Sequence, residues 1–425
     1  MRVLWFTNIP LAPLVDHWGG KNAGTGFWMH ALIKPLSQSP RISRMGVVYA
    51  GPDSCDEHIE LDEVDYYVVS QSRLALRTGI GLGNDENRCL KAFVEIIKAF
   101  QPDTIHIHGS ERFYGRLKTD GLTAIPTLVS IQGIMGECAR YAWGDKTLGE
   151  ILPLINFWEV SRLFPTLRGR ISFLRRARLE TEILNAVDGV IGRTAWDRGY
   201  CRKVARNTKY HHVDEIMRPE FFGSRWQKSC AQPYRVYTSG RLTFSKGMHV
   251  FLEAMAVLKA DYPGLQVRIG GGVSNSPESC TLQHQVKQLG LADTVRFLGW
   301  IPGPQVAEEL LAAHCYVNTS FIENGCNALQ EAMLLGCPCV ATFTGGMTTT
   351  LQHRSSGLMA PPGCAHLFAD AVREIFENDE LATSLGKSAR EVALARHDPD
   401  LILAQLLSAY SATIEQSHLE ETSQA

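Results

Sequence analysis

The chain has 425 residues, 45% hydrophobic and 20% charged, with a formal net charge of -2. These values fit an ordinary globular protein of two or three cores and exclude a globally basic nucleic-acid binder. No uncharged apolar run reaches the ~18 residues of a membrane-spanning helix, and the 11 cysteines include no C-x-x-C pair or zinc-like spacing. They read as small residues, mostly buried, in a reducing cytosol.

The first stretch, RVLWFT at residues 2–7, predicts a buried strand. Prolines break the apolar start, and it lacks a small-residue cleavage site, so a strand is favoured over a leader. A loop with Gly19, Gly20, Gly24 and Gly26 follows, then a helix over residues 27–36. Strand, glycine loop and helix allow backbone amides to approach a phosphate or sugar. A flexible connector has the same composition, and the G-x-G-x-x-G fingerprint fails at Met29.

Apolar runs at 46–50, 66–69, 104–108, 127–131 and 190–192 alternate with helical patterns such as 87–100. Strands alternating with helices predict a parallel sheet whose ligands sit beyond the strand carboxyl ends. His106, His108, Gln132 and Arg193 stand at such ends. Residues 151–178 then turn apolar and aromatic and carry Arg162, Arg168, Arg170, Arg175, Arg176 and Arg178. That composition suits a helix lying on anionic lipid, or simply a solvated helix face.

Polar residues 222–233 predict a linker, and a second alternating set begins at once. Strands are expected at 235–239, 266–270 and 295–298, and helices at 248–261, 278–289 and 305–313. Arg241 and Lys246 fall in the loop GRLTFSKGM after the first of these strands, where both reach one strand-end edge as an anion clamp. Gly270, Gly271 and Gly272 mark another close backbone approach.

The stretch 318–347, NTSFIENGCNALQEAMLLGCPCVATFTGGM, carries the densest chemistry. A helix over 327–335 stops at Gly336, with Glu323 in the turn before it and Glu331 one turn inside. The helix N-terminus suits a phosphate, and the flanking carboxylates suit sugar hydroxyls. A capped helix with a solvated acid has the same pattern. A last helix is expected over 400–414.

With the blocks PDTIHIHGSE, SIQG, VIGRTAWDRG, GRLTFSKG, VRFLGWIP and ENGCNALQEAMLLGCPCVAT assembled, the chain resembles the glycosyltransferases of the GT-B fold, specifically the retaining, metal-independent family 4. The resemblance spans about residues 1–415. It implies an α/β protein of two Rossmann-like domains, 1–225 and 233–398, facing across a cleft, with a helix at 399–416 returning to the first. It further implies a nucleotide-sugar donor, a UDP- or GDP-sugar, with no cofactor and no metal.

By the same resemblance, Arg241 and Lys246 hold the pyrophosphate, Glu331 the ribose, and Glu323 the donor sugar. The backbone of Asn324, Gly325, Cys326 and Asn327 lies at the sugar and β-phosphate, with Gly271 nearby, and Gly299, Trp300 and Ile301 at the base. Gly24, Gly26 and Arg193 complete the donor side, and His108 falls on the acceptor side. Gln132 stands where many family members have histidine; an amide does not titrate, so it is no general base.

The expected activity is sugar transfer to a hydroxyl of a glycan or lipid-linked acceptor, in polysaccharide or lipid-linked glycan assembly. The expected location is the cytoplasm, and the inner face of the cell membrane if residues 151–178 engage lipid. The rival readings are a catalytically silent scaffold of the same fold and a nucleotide-sugar epimerase; a phosphorylase needs a cofactor lysine that cannot be placed.

Overall fold

The computed structural model describes residues 1–20, 26–52, 55–78, 81–152, 165–272 and 276–424. The chain divides into two compact units. The first comprises Met1–Met135, Arg175–Ile216 and His397–Ala425; the second comprises Gly136–Leu174 and Met217–Arg396.

Among the described residues, the first unit holds an eight-stranded sheet of β1 (Arg2–Thr7), β2 (Arg44–Gly51), β3 (Glu57–Leu61), β4 (Val64–Ser70), β5 (Thr104–His108), β6 (Thr127–Ser130), β7 (Gly189–Gly192) and β8 (Lys209–His212). Its order is β3-β4-β2-β1-β5-β6-β7-β8, parallel except for the β3–β4 pair. Both faces of β1 are covered, as its unbroken apolar sequence requires. Val3 and Trp5 join the core on one face, Leu4 and Phe6 the core on the other, following the two-residue period of a strand.

The helix Pro399–Gln424 is longer than the sequence pattern predicts and belongs to this first unit. Tyr410 anchors it: its hydroxyl accepts from Trp5 Nε1 at 2.8 Å and lies 2.8 Å from His106 Nδ1.

The second unit holds a six-stranded, all-parallel sheet among the described residues, with β9 (Arg235–Ser239), β10 (Gln266–Gly270), β11 (Val295–Gly299), β12 (Cys315–Val317), β13 (Cys339–Thr342) and β14 (Leu358–Ala360). Its order, β11-β10-β9-β12-β13-β14, reverses direction between β9 and β12. Ligands of open parallel sheets bind at such a reversal. The loops after β9 and β12 carry Lys246 and Glu323, respectively.

The unit boundaries differ from the expected division at 222–233. The chain passes between units at Ile216 and Met217, and residues 136–174 group with the second sheet rather than the first. His249 shows why: its Nε2 lies 2.8 Å from Asp145 Oδ1 and its ring stacks on Phe321. Of the basic stretch at 151–178, residues 153–164 fall outside the described residues.

One buried acid gives the first unit a pH dependence. Glu180, in the helix Pro165–Ala186, is fully buried and accepts from the Ser110 hydroxyl at 2.7 Å, the Met135 N–H at 3.0 Å and the Tyr200 hydroxyl at 3.4 Å. Burial outweighs these bonds and pushes its carboxyl from 4.5 up to about 7. The folded value exceeds the unfolded one, so this stabilising contribution is fully present below about pH 4.5 and is lost as pH rises through about 7. Glu180→Gln mimics the protonated acid. It is expected to match the wild type at pH 4.5 and to exceed it by on the order of 3 kcal/mol at pH 8. Parallel melting-temperature profiles from pH 4 to 8 for the two proteins would contradict this.

Candidate active site

Glycines set the geometry of the second unit's strand-end loops. Gly247, at φ +64°, caps the helix Met248–Asp261, and a Cβ there would lie 1.9 Å from the Thr319 carbonyl oxygen. Gly345, at φ +49°, would place a Cβ 2.0 Å from the Glu323 carbonyl oxygen, and the Gly346 N–H donates to that same oxygen at 3.0 Å. Gly271, at φ +114°, would place one 2.1 Å from the Gly240 carbonyl oxygen. The loops after β9, β10, β12 and β13 therefore touch backbone to backbone at one edge, an approach only glycine permits.

Two side chains meet there. Lys246 Nζ donates to Glu323 Oε1 at 2.5 Å, and the Ser320 hydroxyl donates to the same oxygen at 2.9 Å. Burial alone would lower the Lys246 pKa, but Glu323 beside it outweighs burial and holds the ammonium above its ordinary value. Arg241, in the same loop, is exposed and has no ion pair among the described residues. The site thus offers one paired and one open cation beside a helix start.

That helix, Asn327–Leu335, begins at Cys326 with no side-chain cap and ends at Gly336 in the left-handed region. Asn324 and Cys326 are buried, while Gly325 and Asn327 are half-buried. Glu331 is 4% exposed and receives both Nε (3.0 Å) and Nη2 (2.5 Å) of Arg218 on its Oε1. Burial pushes the Glu331 carboxyl up to about 7, against the pull of Arg218. Nearby, the Gly271 N–H donates to the Gly299 carbonyl at 2.7 Å. Gly299 has φ +68°, Trp300 is 60% exposed and Ile301 is half-buried.

The first unit gathers a different set. Gly24 lies outside the described residues; Gly26 caps the helix Phe27–Ser37 at φ +72°. Gln132, Arg193, His106, His108 and Glu215 line one small cavity of about 40 Å³. Arg193 is ion-paired with the buried Glu215 and donates to the Gln132 carbonyl at 3.5 Å. His108 is buried, its ring 4.4 Å from that of Trp5 and 4.0 Å from that of His106, and burial pushes its pKa down to about 3. The imidazole is neutral and enclosed rather than presented at the strand end.

Arg218 and Ser320 were not singled out by the sequence pattern. Arg218 sits in MRPEFF, ahead of the second alternating set, and meets a partner 113 positions away, which no local period reveals. Among the described residues, no group of three or more His, Cys, Asp or Glu could hold a metal ion, and no helix is long and apolar enough to cross a membrane.

Residues 225–392 match the family model of the glycosyl transferases group 1. This segment belongs to that family. It contains Arg241, Lys246, Glu323 and Glu331, but not Arg218. The N-acetyl-alpha-D-glucosaminyl L-malate synthase of Bacillus anthracis is 32% identical over 138 residues, 32% of this chain and 36% of that protein. The D-inositol 3-phosphate glycosyltransferase of Corynebacterium urealyticum is 31% identical over 175 residues, 40% of this chain and 41% of its own. The matches thus span less than half the length of these relatives.

The fold extends further than the sequence likeness. Sucrose-phosphate synthase from Thermosynechococcus elongatus superposes with a TM-score of 0.72 at 18% identity, covering 98% of this chain and 100% of that one. Anabaena HepE in complex with UDP and glucose gives 0.65 at 17% identity, covering 97% and 99%. The glycosyltransferase segment therefore sits in a chain of the GT-B fold, with two parallel-sheet units.

Proposed function

We propose that the protein is a retaining glycosyltransferase that moves a sugar from a nucleotide-diphosphate sugar to a hydroxyl acceptor. The observation that carries this reading is the Lys246–Glu323 pair at the sheet reversal, inside the segment matching the family model. One relative is named a glycosyltransferase and another a glucosaminyl malate synthase, and HepE was solved with UDP and with UDP-glucose, which favours a nucleotide-sugar donor.

Arg241 and Lys246 face the pyrophosphate, Glu323 and the backbone from Asn324 to Asn327 the sugar and β-phosphate, and Glu331 the ribose. The exposed Trp300, with Gly299 and Ile301, meets the base, and Gly271 keeps the neighbouring backbone close. In the reaction the bond from the anomeric carbon to the β-phosphate oxygen breaks. The acceptor oxygen bonds to that carbon on the same face, and its proton passes to a β-phosphate oxygen. Gln132 is then no obstacle, because no protein base is required. Arg241 and Lys246 supply the cationic charge at the leaving group, so no metal is needed.

The acceptor is a growing glycan or lipid-linked glycan at the cytoplasmic membrane face. Ile171 and Leu174, 50% and 56% exposed beside Arg170, Arg175 and Arg178, support contact with anionic lipid.

The test is incubation with UDP- and GDP-sugars and hydroxyl acceptors, with and without EDTA, and assignment of the product anomer by NMR. Transfer with the donor's anomeric configuration, unchanged by EDTA, is expected. A product of inverted configuration overturns the mechanism. Absence of both transfer and donor hydrolysis overturns the enzyme reading in favour of a silent scaffold.

A further inference from the structure

Arg218 lies outside the family-model match, yet it makes the tightest contact to Glu331 among the described residues. Its guanidinium rests 4.9 Å from the Phe221 ring centroid, and its Nη1 lies 2.9 Å from where a Cβ on Gly303 would stand. Gly303 begins the helix that follows the Gly299–Ile301 loop. Arg218 thus bridges the acid of one loop-helix segment and the start of another. Both Nε and Nη2 converge on Oε1, rather than forking across the carboxylate. Oε2 has no recorded bond among the described residues.

We infer that Arg218 is a positioning residue for donor recognition: it holds Glu331 as an oriented carboxylate whose second oxygen takes the ribose hydroxyls. The inference rests on the donor reading above and adds a residue to it. Two donors on one oxygen fix the plane of the carboxyl group. An ionised carboxylate accepts from both hydroxyls of a ribose diol, whereas the protonated acid carries one O–H donor and has less acceptor capacity left for them.

The groups around the acid explain why a cation is needed. Glu220 opposes the charge of Glu331, while burial above all, with a smaller push from Glu331, keeps Tyr237 and Cys326 in their neutral forms. Arg218 is the cation acting on Glu331 in this set. Removing it leaves a buried acid with no opposing charge, which drives the carboxyl still further toward its protonated form at neutral pH.

A double-mutant cycle tests this with UDP and GDP and their 2′-deoxy counterparts, titrated calorimetrically at pH 7. Wild type is expected to bind one ribonucleotide at least ~10-fold more tightly than its 2′-deoxy form, as loss of a charge-assisted hydrogen bond predicts. In Arg218→Met that preference shrinks to about twofold, and Arg218→Lys recovers part of it. Arg218→Met on a Glu331→Gln background adds no further loss, because Arg218 acts through Glu331. The double variant also guards against unfolding of the single one, since charge and partner leave together.

Additive losses in the double variant, or a full 2′-hydroxyl preference in folded Arg218→Met, overturn the inference alone. Wild type binding neither nucleotide overturns the donor reading and this inference with it.

Discussion

Lys246→Ala is expected to slow sugar transfer by on the order of 100- to 1,000-fold in kcat/KM, with the loss divided between weaker donor binding and a lower kcat. Negative charge grows on the diphosphate as the glycosidic bond breaks, and a fixed ammonium stabilises it more in the transition state than in the bound donor. Glu323 holds that ammonium at 2.5 Å. The donor diphosphate would then share or displace an existing partner, and the lysine needs no large search to meet it. Alanine removes the cation and leaves Glu323 without it, so a carboxylate now faces the diphosphate. Lys246→Arg keeps the charge but not its compact shape, and is expected to fall between. Steady-state rates for alanine within threefold of wild type would remove Lys246 from the mechanism.

The second large effect is structural. Gly247→Ala places a methyl group 1.9 Å from the Thr319 carbonyl oxygen and 2.7 Å from its carbon, at φ +64°. A left-handed alanine costs about 1 kcal/mol, and an overpacked contact against backbone adds about 1–3. The sum, roughly 2–4 kcal/mol, corresponds to a melting-temperature drop on the order of 10 °C for a unit of this size. Neither side of the clash is a side-chain end that can swing away; one of the two strand-end loops must move. Lys246 is the preceding residue, so transfer falls with stability. Gly199→Ala is the control: beyond its chain neighbours and its own helix backbone no atom lies within 4 Å of the added carbon, and it sits in the helix Ala195–Val204. It is expected to be neutral or stabilising by about 0.5–1 kcal/mol. Equal melting temperatures for Gly247→Ala and wild type would contradict the backbone-contact account.

The geometry of the second unit's strand-end loops was legible in the sequence because its signals are local. The strand Arg235–Ser239 and the helices Met248–Asp261 and Asn327–Leu335 begin and end where apolar period, glycine and proline predict. Arg241, Lys246 and Glu323 therefore fall, by sequence pattern alone, on loops at one sheet edge. What was not legible depends on long-range pairing. Lys246 meets Glu323 across 77 positions and Arg218 meets Glu331 across 113.

Edge strands were missed for another reason. Glu57–Leu61 and Lys209–His212 are half-exposed and polar, so they lack the apolar run that marks a buried strand. His108 shows the limit of strand-end reasoning. It closes β5 in sequence, but its ring is buried against those of Trp5 and His106. The grouping of residues 136–174 with the second unit involves long-range contacts such as His249 with Asp145, which composition does not encode.

The most direct test of a donor site centred on Lys246 and Glu323 is calorimetric titration of UDP- and GDP-sugars into the wild type and Lys246→Ala. One of the two donors is expected to bind the wild type with one-to-one stoichiometry, and to bind the variant at least ~10-fold more weakly. Equal affinity in both proteins, or no binding of either donor to the wild type, would contradict it.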